Sequence, residues 1–322
     1  MKSIMIYEYG GPEVLRLEER PTPQPAPGEA LVEIAAIGVN FVEIYQRMGW
    51  YKLPLPCGIG GEGAGTVVAV GPGVTEVKPG DRVAWLAGMN SYATHTVVPV
   101  ERLAPLPAEV TFEQAAASMV QGVTAHVLTH RTYPLKPGDW CLVHAAAGGV
   151  GRLLCQMAKM RGARVIGTVS TPAKAMVARE AGADEVILYT EQDFEAEVKR
   201  ITAGKGVQVV YDSVGQATFD KSLNCLARLG YMVLFGQSSG FVPPFDVQRL
   251  AAGGSLFLTR PSVFHYISNR EELLHHAGEV LGWVAEGKLR LHIDRTFPLA
   301  QAAEAHRALA SRQTVGKLLL LP

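Results

Sequence analysis

The chain has 322 residues, 48% hydrophobic and 19% charged, with 30 Lys plus Arg balanced by 30 Asp plus Glu. Such a neutral, apolar chain is neither a disordered tail nor a polyanion-binding surface, so nucleic acid is not an expected partner. No apolar run nears the ~20 residues of a membrane-spanning helix, and "MKSIMIYEYGGPEVLRLEERPTP" alternates like a strand instead of carrying a secretory signal. A cytoplasmic protein with room for two domains is expected.

Residues 1 to about 120 hold short β-type runs, "ALVEIAAIGV", "AGTVVAVG", "DRVAWL" and "YATHTVVPV", with turns at "PAPGE", "GPGVTEVKPGD" and "LAGMNS". This predicts a compact, mostly β domain. Within it "CGIGGEG" matches the dinucleotide fingerprint GxGxxG through Gly58, Gly60 and Gly63. The context is wrong, because proline-bound "YKLPLP" precedes it and the β-branched run "AGTVVAVG" follows where a helix is needed. The match is a decoy.

From "TFEQAAASMVQGVTAHVLTHRTY" onward the pattern changes to a helix followed by repeated strand and helix units. Strands are predicted at "DWCLVHAA", "ARVIGTV", "DEVILY", "VQVVYDSV", "YMVLFG" and "SLFLTR". Helices are predicted at "VGRLLCQMAKMRG", "PAKAMVAREAG", "FEAEVKRITAG" and "ATFDKSLNCLARLG". That alternation predicts an α/β fold with a doubly wound parallel sheet. The last 60 residues return to mixed texture, with helices in "NREELLHHAGEVLGWVAEG" and "PLAQAAEAHRALAS" and strands in "LRLHIDRTF" and "KLLLLP".

A phosphate loop needs a strand, a tight turn, and a helix whose positive end faces the diphosphate. "HAAAGGVGRLLCQMAKM" supplies that order, as AxxGxxG through Ala145, Gly148 and Gly151. Gly148 and Gly149 permit backbone approach, Val150 is expected to start the helix, and Gly151 allows helix to pack on sheet. The next strand ends "GTVSTPAK", with no carboxylate to repel a 2'-phosphate and with Ser170, Thr171 and Lys174 to bind one. NADPH is the expected cofactor. Tyr189, ending the following strand, is placed to flank the same phosphate or the adenine.

Cys57, Cys141, Cys155 and Cys225 lie far apart with no CxxC pair, so buried thiols are expected and not a zinc knuckle or disulfide framework. His126 and His130 have helical i, i+4 spacing but no third ligand or HExxH context, and His275 and His276 point to different sides of a helix.

Together "GGPEVL", "IGVNFVEIYQRMGWY", "GEGAGTVVAVGPGV", "GDRV", "FEQAAAS", "HAAAGGVG", "VVYDSVG" and "TRPS" give a resemblance, over essentially the whole chain, to the medium-chain dehydrogenase/reductase superfamily. Within it the chain resembles the zinc-free, zeta-crystallin-like quinone oxidoreductases. The resemblance implies a GroES-like catalytic domain over residues 1–122, completed by 262–322, and a Rossmann NADPH-binding domain over 123–261. Zinc-dependent members take their metal from a Cys in the stretch occupied here by "GVNF", from a GHE loop, and from a later Cys or Asp. Here Gly38, Val39 and Asn40 carry no thiol and Gly61 stands where the His would be, so no metal is expected. "CGIGGEG" would then be the remnant of a zinc loop.

The resemblance further implies metal-independent hydride or electron transfer from NADPH to a quinone, in a pocket between the domains lined by Asn40, Tyr45, Tyr51 and Arg260. Asn40 and Tyr45 would contact nicotinamide ribose or substrate oxygen, and Arg260 would steady charge on the quinone. Thr124, Ser213, Phe235, Gln237, Ser238 and Arg312 would complete the cofactor contacts, and a homodimer would form along the edge strand "SLFLTR". The alternatives are an enone, alkenal or enoyl-thioester reductase acting on a conjugated carbonyl, and a crystallin-like or RNA-binding protein that turns over nothing.

Overall fold

The computed structural model describes residues 1–86 and 90–322. The turn expected at "LAGMNS" falls partly on residues 87–89, outside the described residues. The chain divides into two units, Met1–Val123 with Ile267–Pro322, and Thr124–Tyr266.

The first unit is built on a seven-stranded sheet. Its path runs Ile293–Pro298, Lys317–Leu321, Glu29–Val39, Glu62–Val70, Arg82–Leu86 and Leu103–Pro105, and His95–Pro99 also pairs with Glu29–Val39. Glu29–Val39 is the hub, because its eleven residues are long enough to pair with three other strands. The C-terminal strand lies antiparallel to it, with Leu318 opposite Val39 and Leu319 opposite Gly38. Val32, Ile34, Ile37, Val67, Val83, Trp85 and Leu320 are buried in one core with Leu299, Ala305 and Leu309. A small sheet of Arg16–Glu19, Lys2–Ile6 and Cys57–Gly58 flanks it.

The second unit carries six parallel strands in the order Glu185–Leu188, Arg164–Val169, Trp140–Val143, Val207–Asp212, Leu226–Leu234 and Phe257–Thr259. Numbered from the first strand of this unit the order is 3-2-1-4-5-6, the doubly wound arrangement. Buried Leu142, Ile166, Ile187, Val210 and Met232 pack with Phe194, Val198, Phe219 and Leu223 from the helices.

Three local expectations are corrected. The helix read over "ATFDKSLNCLARLG" is only Phe219–Asn224, because Leu226 already pairs with Val207 and Leu229 takes φ 62°. The first turn of the glycine-loop helix begins at Gly149, one residue before Val150. The helix Phe112–Val127 widens into a π turn over Leu128–Thr132, where the Tyr133 N–H donates to Leu128.

Candidate active site

In an open parallel sheet, ligands bind beyond the carboxyl ends of the strands, at the point where strand order reverses. Here that point lies between Trp140–Val143 and Val207–Asp212. The first of these strands leads through the Ala145–Gly148 turn into the helix Gly149–Met160, capped at Gly148. The buried face of that helix is Gly151, Leu153, Leu154, Cys155, Met157 and Ala158. The amide of Gly148 donates to Ala145 at 2.8 Å and that of Arg152 to Gly148 at 2.9 Å. The N–H groups of Gly149, Val150 and Gly151, in the first turn, have no intrahelical acceptor, as at any helix N-terminus, and such a terminus can take an anion.

Apart from Thr124, the other candidates of this unit lie just beyond the carboxyl ends of its strands. Ser170 and Thr171 follow Arg164–Val169, and the Thr171 hydroxyl caps the next helix by accepting from the Lys174 N–H at 3.3 Å. Tyr189 follows Glu185–Leu188 and is half exposed. The loop after Val207–Asp212 is tied to the loop after Leu226–Leu234: Phe235 N–H donates to Asp212 O at 2.8 Å, and Ser238 N–H to Ser213 O at 3.1 Å. Arg260 donates to Leu234 O at 3.2 Å and to Gln237 Oε1 at 3.4 Å. Gln237 is 6% exposed, and its Nε2 is buried with no protein partner. A buried donor in that state calls for a ligand or water. Thr124 is half-buried in the helix Phe112–Val127.

These residues fit a dinucleotide phosphate. No Asp or Glu stands in Ser170–Lys174, and the orphaned Gln237 amide offers an unused proton at the same carboxyl end of the sheet.

Asn40, Tyr45, Tyr51 and Arg312 belong to the first unit. Asn40 follows the hub strand and opens the helix Phe41–Arg47 in a capping box with Glu43, whose carboxylate accepts from the Asn40 N–H at 2.7 Å. Tyr45 is 7% exposed, stacked on Trp50 with centroids 5.3 Å apart and edge-on to Tyr51 at 5.6 Å. Arg312 is exposed at φ 59°.

Sequence reasoning missed Lys317. Its ammonium donates to Glu62 Oε2 at 2.5 Å and to Asn40 Oδ1 at 2.7 Å, while Asn40 Nδ2 donates to the same Glu62 oxygen at 2.9 Å. Glu62 Oε1 accepts from the Val120 N–H at 2.5 Å. Lys317 and Glu62 are 1% and 0% exposed. Gly38 is required here, since a Cβ on it would strike the Glu62 carboxylate and lie 2.7 Å from Ala116 O. Glu43 is also buried, and burial pushes its carboxyl up to about 7 against the pull of the Lys317 charge. "CGIGGEG" is thus a short strand and turn leading into Glu62–Val70, with no helix behind it.

A second buried network underlies the glycine turn. His144, just before Ala145, has Nδ1 2.9 Å from Thr168 Oγ1 and Nε2 2.9 Å from Ser222 Oγ, and Ser222 donates to Asp212 at 3.1 Å. Burial holds His144 below its ordinary value, so it is neutral at pH 7. His126 and His130 stack at 4.1 Å. Among the described residues no group of three or more His, Cys, Asp or Glu is placed to hold a metal ion.

Comparison with known proteins agrees with this architecture. Residues 26–108 match the alcohol dehydrogenase GroES-like domain model, and residues 181–320 match the zinc-binding dehydrogenase model. The chain therefore has the two parts of a medium-chain dehydrogenase/reductase. Quinone oxidoreductase 1 of Escherichia coli (strain K12) is 46% identical over 323 residues, covering 99% of both chains. The 2-haloacrylate reductase of Burkholderia sp. is 42% identical, covering 99% of this chain and 98% of its own. The crystal structure of Escherichia coli quinone oxidoreductase complexed with NADPH matches with a TM-score of 0.98 at 45% identity, over 100% of both chains. The chain belongs to the quinone oxidoreductase family, as its motifs implied.

Proposed function

We propose that this protein is an NADPH-dependent quinone oxidoreductase working without a metal. The observation that carries this is the glycine turn at the strand-order reversal, followed by a second strand ending in Ser170 and Thr171 with Lys174 and no carboxylate. In this reading the amides of Gly149, Val150 and Gly151 bind the diphosphate, with Gly148 leaving room for it. Ser170, Thr171 and Lys174 take the 2'-phosphate, and Tyr189 flanks it. Thr124, Ser213, Phe235, Gln237, Ser238 and Arg312 complete the cofactor contacts.

Bound NADPH supplies a hydride from its nicotinamide. A quinone needs little further help, because the incoming negative charge delocalises over a ring that becomes aromatic. Orientation and a few hydrogen-bond donors are then sufficient. Asn40 donates to the acceptor oxygen, while Tyr45 and Tyr51 form an aromatic wall that orients the ring. Arg260, braced by Leu234 and Gln237, contributes a positive charge for the reduced product. The resulting phenolate is stabilised by hydrogen bonds or protonated through water.

No helix among the described residues is long and apolar enough to cross a membrane. The strand Phe257–Thr259 ends the parallel sheet, with Phe257 47% exposed. We read this apolar edge as the homodimer seam, because an open edge otherwise invites uncontrolled pairing.

The test is loss of NADPH absorbance with 1,4-benzoquinone, 9,10-phenanthrenequinone, 2-chloroacrylate and an α,β-unsaturated aldehyde. Quinones are expected to be the best acceptors. NADPH binding without quinone turnover would overturn the proposal.

A further inference from the structure

We infer that Lys317 is a positioning residue: with Glu62 it locks the Asn40 carboxamide so that an Nδ2 proton, and not the oxygen, is presented to the acceptor. This rests on the proposed contact between Asn40 and the substrate oxygen and adds what sets the direction of that contact.

A primary amide has an accepting end and a donating end, and a flip of the side chain exchanges them. For Asn40 only one orientation is compatible with its neighbours. An ammonium donates and never accepts, so Lys317 Nζ at 2.7 Å requires the amide oxygen. A carboxylate accepts, so Glu62 Oε2 at 2.9 Å requires the nitrogen. The flipped amide would set donor against donor and acceptor against acceptor, beside two buried charges that have no water to turn to. Glu62 is itself fixed through Val120 and by the space above Gly38. Lys317 is delivered by the strand beside the hub, where its neighbour Leu318 lies opposite Val39, one residue before Asn40. One Nδ2 proton goes to Glu62 and the other remains for a ligand.

The charge on Lys317 also polarises the amide through its oxygen, which strengthens the remaining N–H as a donor. Such a donor gains most when negative charge develops on the acceptor oxygen, so its effect belongs to kcat. Stability alone does not account for the pair, since well-packed apolar residues of similar volume serve as well as a buried ion pair.

The test compares wild type, Asn40→Ala, the uncharged double variant Lys317→Met with Glu62→Gln, and the triple variant. Each is assayed for kcat and KM with 9,10-phenanthrenequinone at saturating NADPH, for NADPH Kd by fluorescence titration, and for fold by circular dichroism. Asn40→Ala and the double variant are each expected to lose kcat by about a hundredfold, the low side of a lost transition-state donor. NADPH Kd should stay within about twofold, on the same argument that the donor acts in the transition state. The triple variant should be no worse than either parent. Full kcat in the double variant beside an impaired Asn40→Ala would overturn this inference alone, as would losses that multiply. Full kcat in Asn40→Ala would overturn the contact on which it rests.

Asn40→Asp provides a second arm that keeps Lys317 and Glu62 and does not depend on the double variant folding. Any proton on Asp at position 40 is shared with Glu62, leaving none to donate outward. A kcat loss as large as that of Asn40→Ala is expected, whereas retained activity would mean that residue 40 accepts, contrary to the inference.

Discussion

The carbonyl oxygen of Ala145 stands so close to Gly151 that any Cβ on residue 151 would collide with it. The turn and the first helical turn are therefore packed backbone on backbone. Gly151→Ala must push the helix away from the strand, and an NADPH affinity loss of about tenfold or more is expected from the displaced amides. Ala145 itself sits at φ 52°, a conformation costing a non-glycine residue roughly 1 kcal/mol. Ala145→Gly should keep NADPH affinity and leave stability unchanged or raised by less than about 1 kcal/mol. Fluorescence titration and urea unfolding of the two variants provide the check.

Coenzyme preference should follow the end of the second strand. A carboxylate at residue 170 would repel the 2'-phosphate and accept from a free ribose hydroxyl. Ser170→Asp with Lys174→Ala is expected to lower kcat/KM for NADPH by about a hundredfold, the combined worth of one lost charge-assisted contact and one new repulsion. NADH should be affected little. Side-by-side kinetics with both coenzymes decide it, and an unchanged NADPH preference would remove these residues from the 2'-phosphate site.

Two buried groups titrate in opposite senses. Burial raises Glu43 from 4.5 to about 7, so folding takes up a proton there. Its contribution is complete below pH 4.5 and is lost as pH rises through 7. Burial, helped by the Arg47 charge, lowers His306 from 6.5 to about 3. Its contribution is complete above pH 6.5 and is lost as pH falls through 3. The full contributions are on the order of 3 kcal/mol for Glu43 and about 5 kcal/mol for His306, and their slopes oppose each other between pH 4.5 and 6.5. In that window Glu43→Gln should make stability climb with pH more steeply than in wild type, and His306→Gln should make it fall. Urea unfolding at pH 5.0 and 6.5 measures both slopes, and parallel curves for all three proteins would contradict the assignment.

The strand, turn and helix around Ala145–Gly151 were legible because their signals are local. Val150, Leu153, Leu154 and Met157 share one helical face right after a strand and a glycine pair, and that order rejected the more literal match at "CGIGGEG". Lys317 was not legible in this way. Its partners Glu62 and Asn40 lie 255 and 277 residues away, and only sheet pairing brings them together. A signal was nevertheless present: a lone Lys in the apolar strand "GKLLLLP" and a lone Glu in the glycine-rich "GGEGAG" are both charges with nowhere to go but each other. The misread helix near Phe219 has the converse cause. The run "CLARLG" has helical spacing, but a tertiary strand pairing at Val207 claims Leu226.

Association is tested at the sheet edge. The Phe257 ring stacks on Tyr231 with centroids 4.5 Å apart, making an apolar end to the strand Phe257–Thr259. Wild type is expected to sediment at twice 34.6 kDa, and Phe257→Lys as a monomer, because an edge charge blocks strand addition. A monomeric wild type, or an unaffected variant, would move the interface elsewhere.

The most direct measurement is a crystal structure of this protein with NADPH. The diphosphate is expected on the amides of Gly149, Val150 and Gly151, with Lys174 on the 2'-phosphate. A coenzyme bound away from the Ala145–Gly151 turn, or one whose 2'-phosphate is remote from Ser170, Thr171 and Lys174, would contradict it.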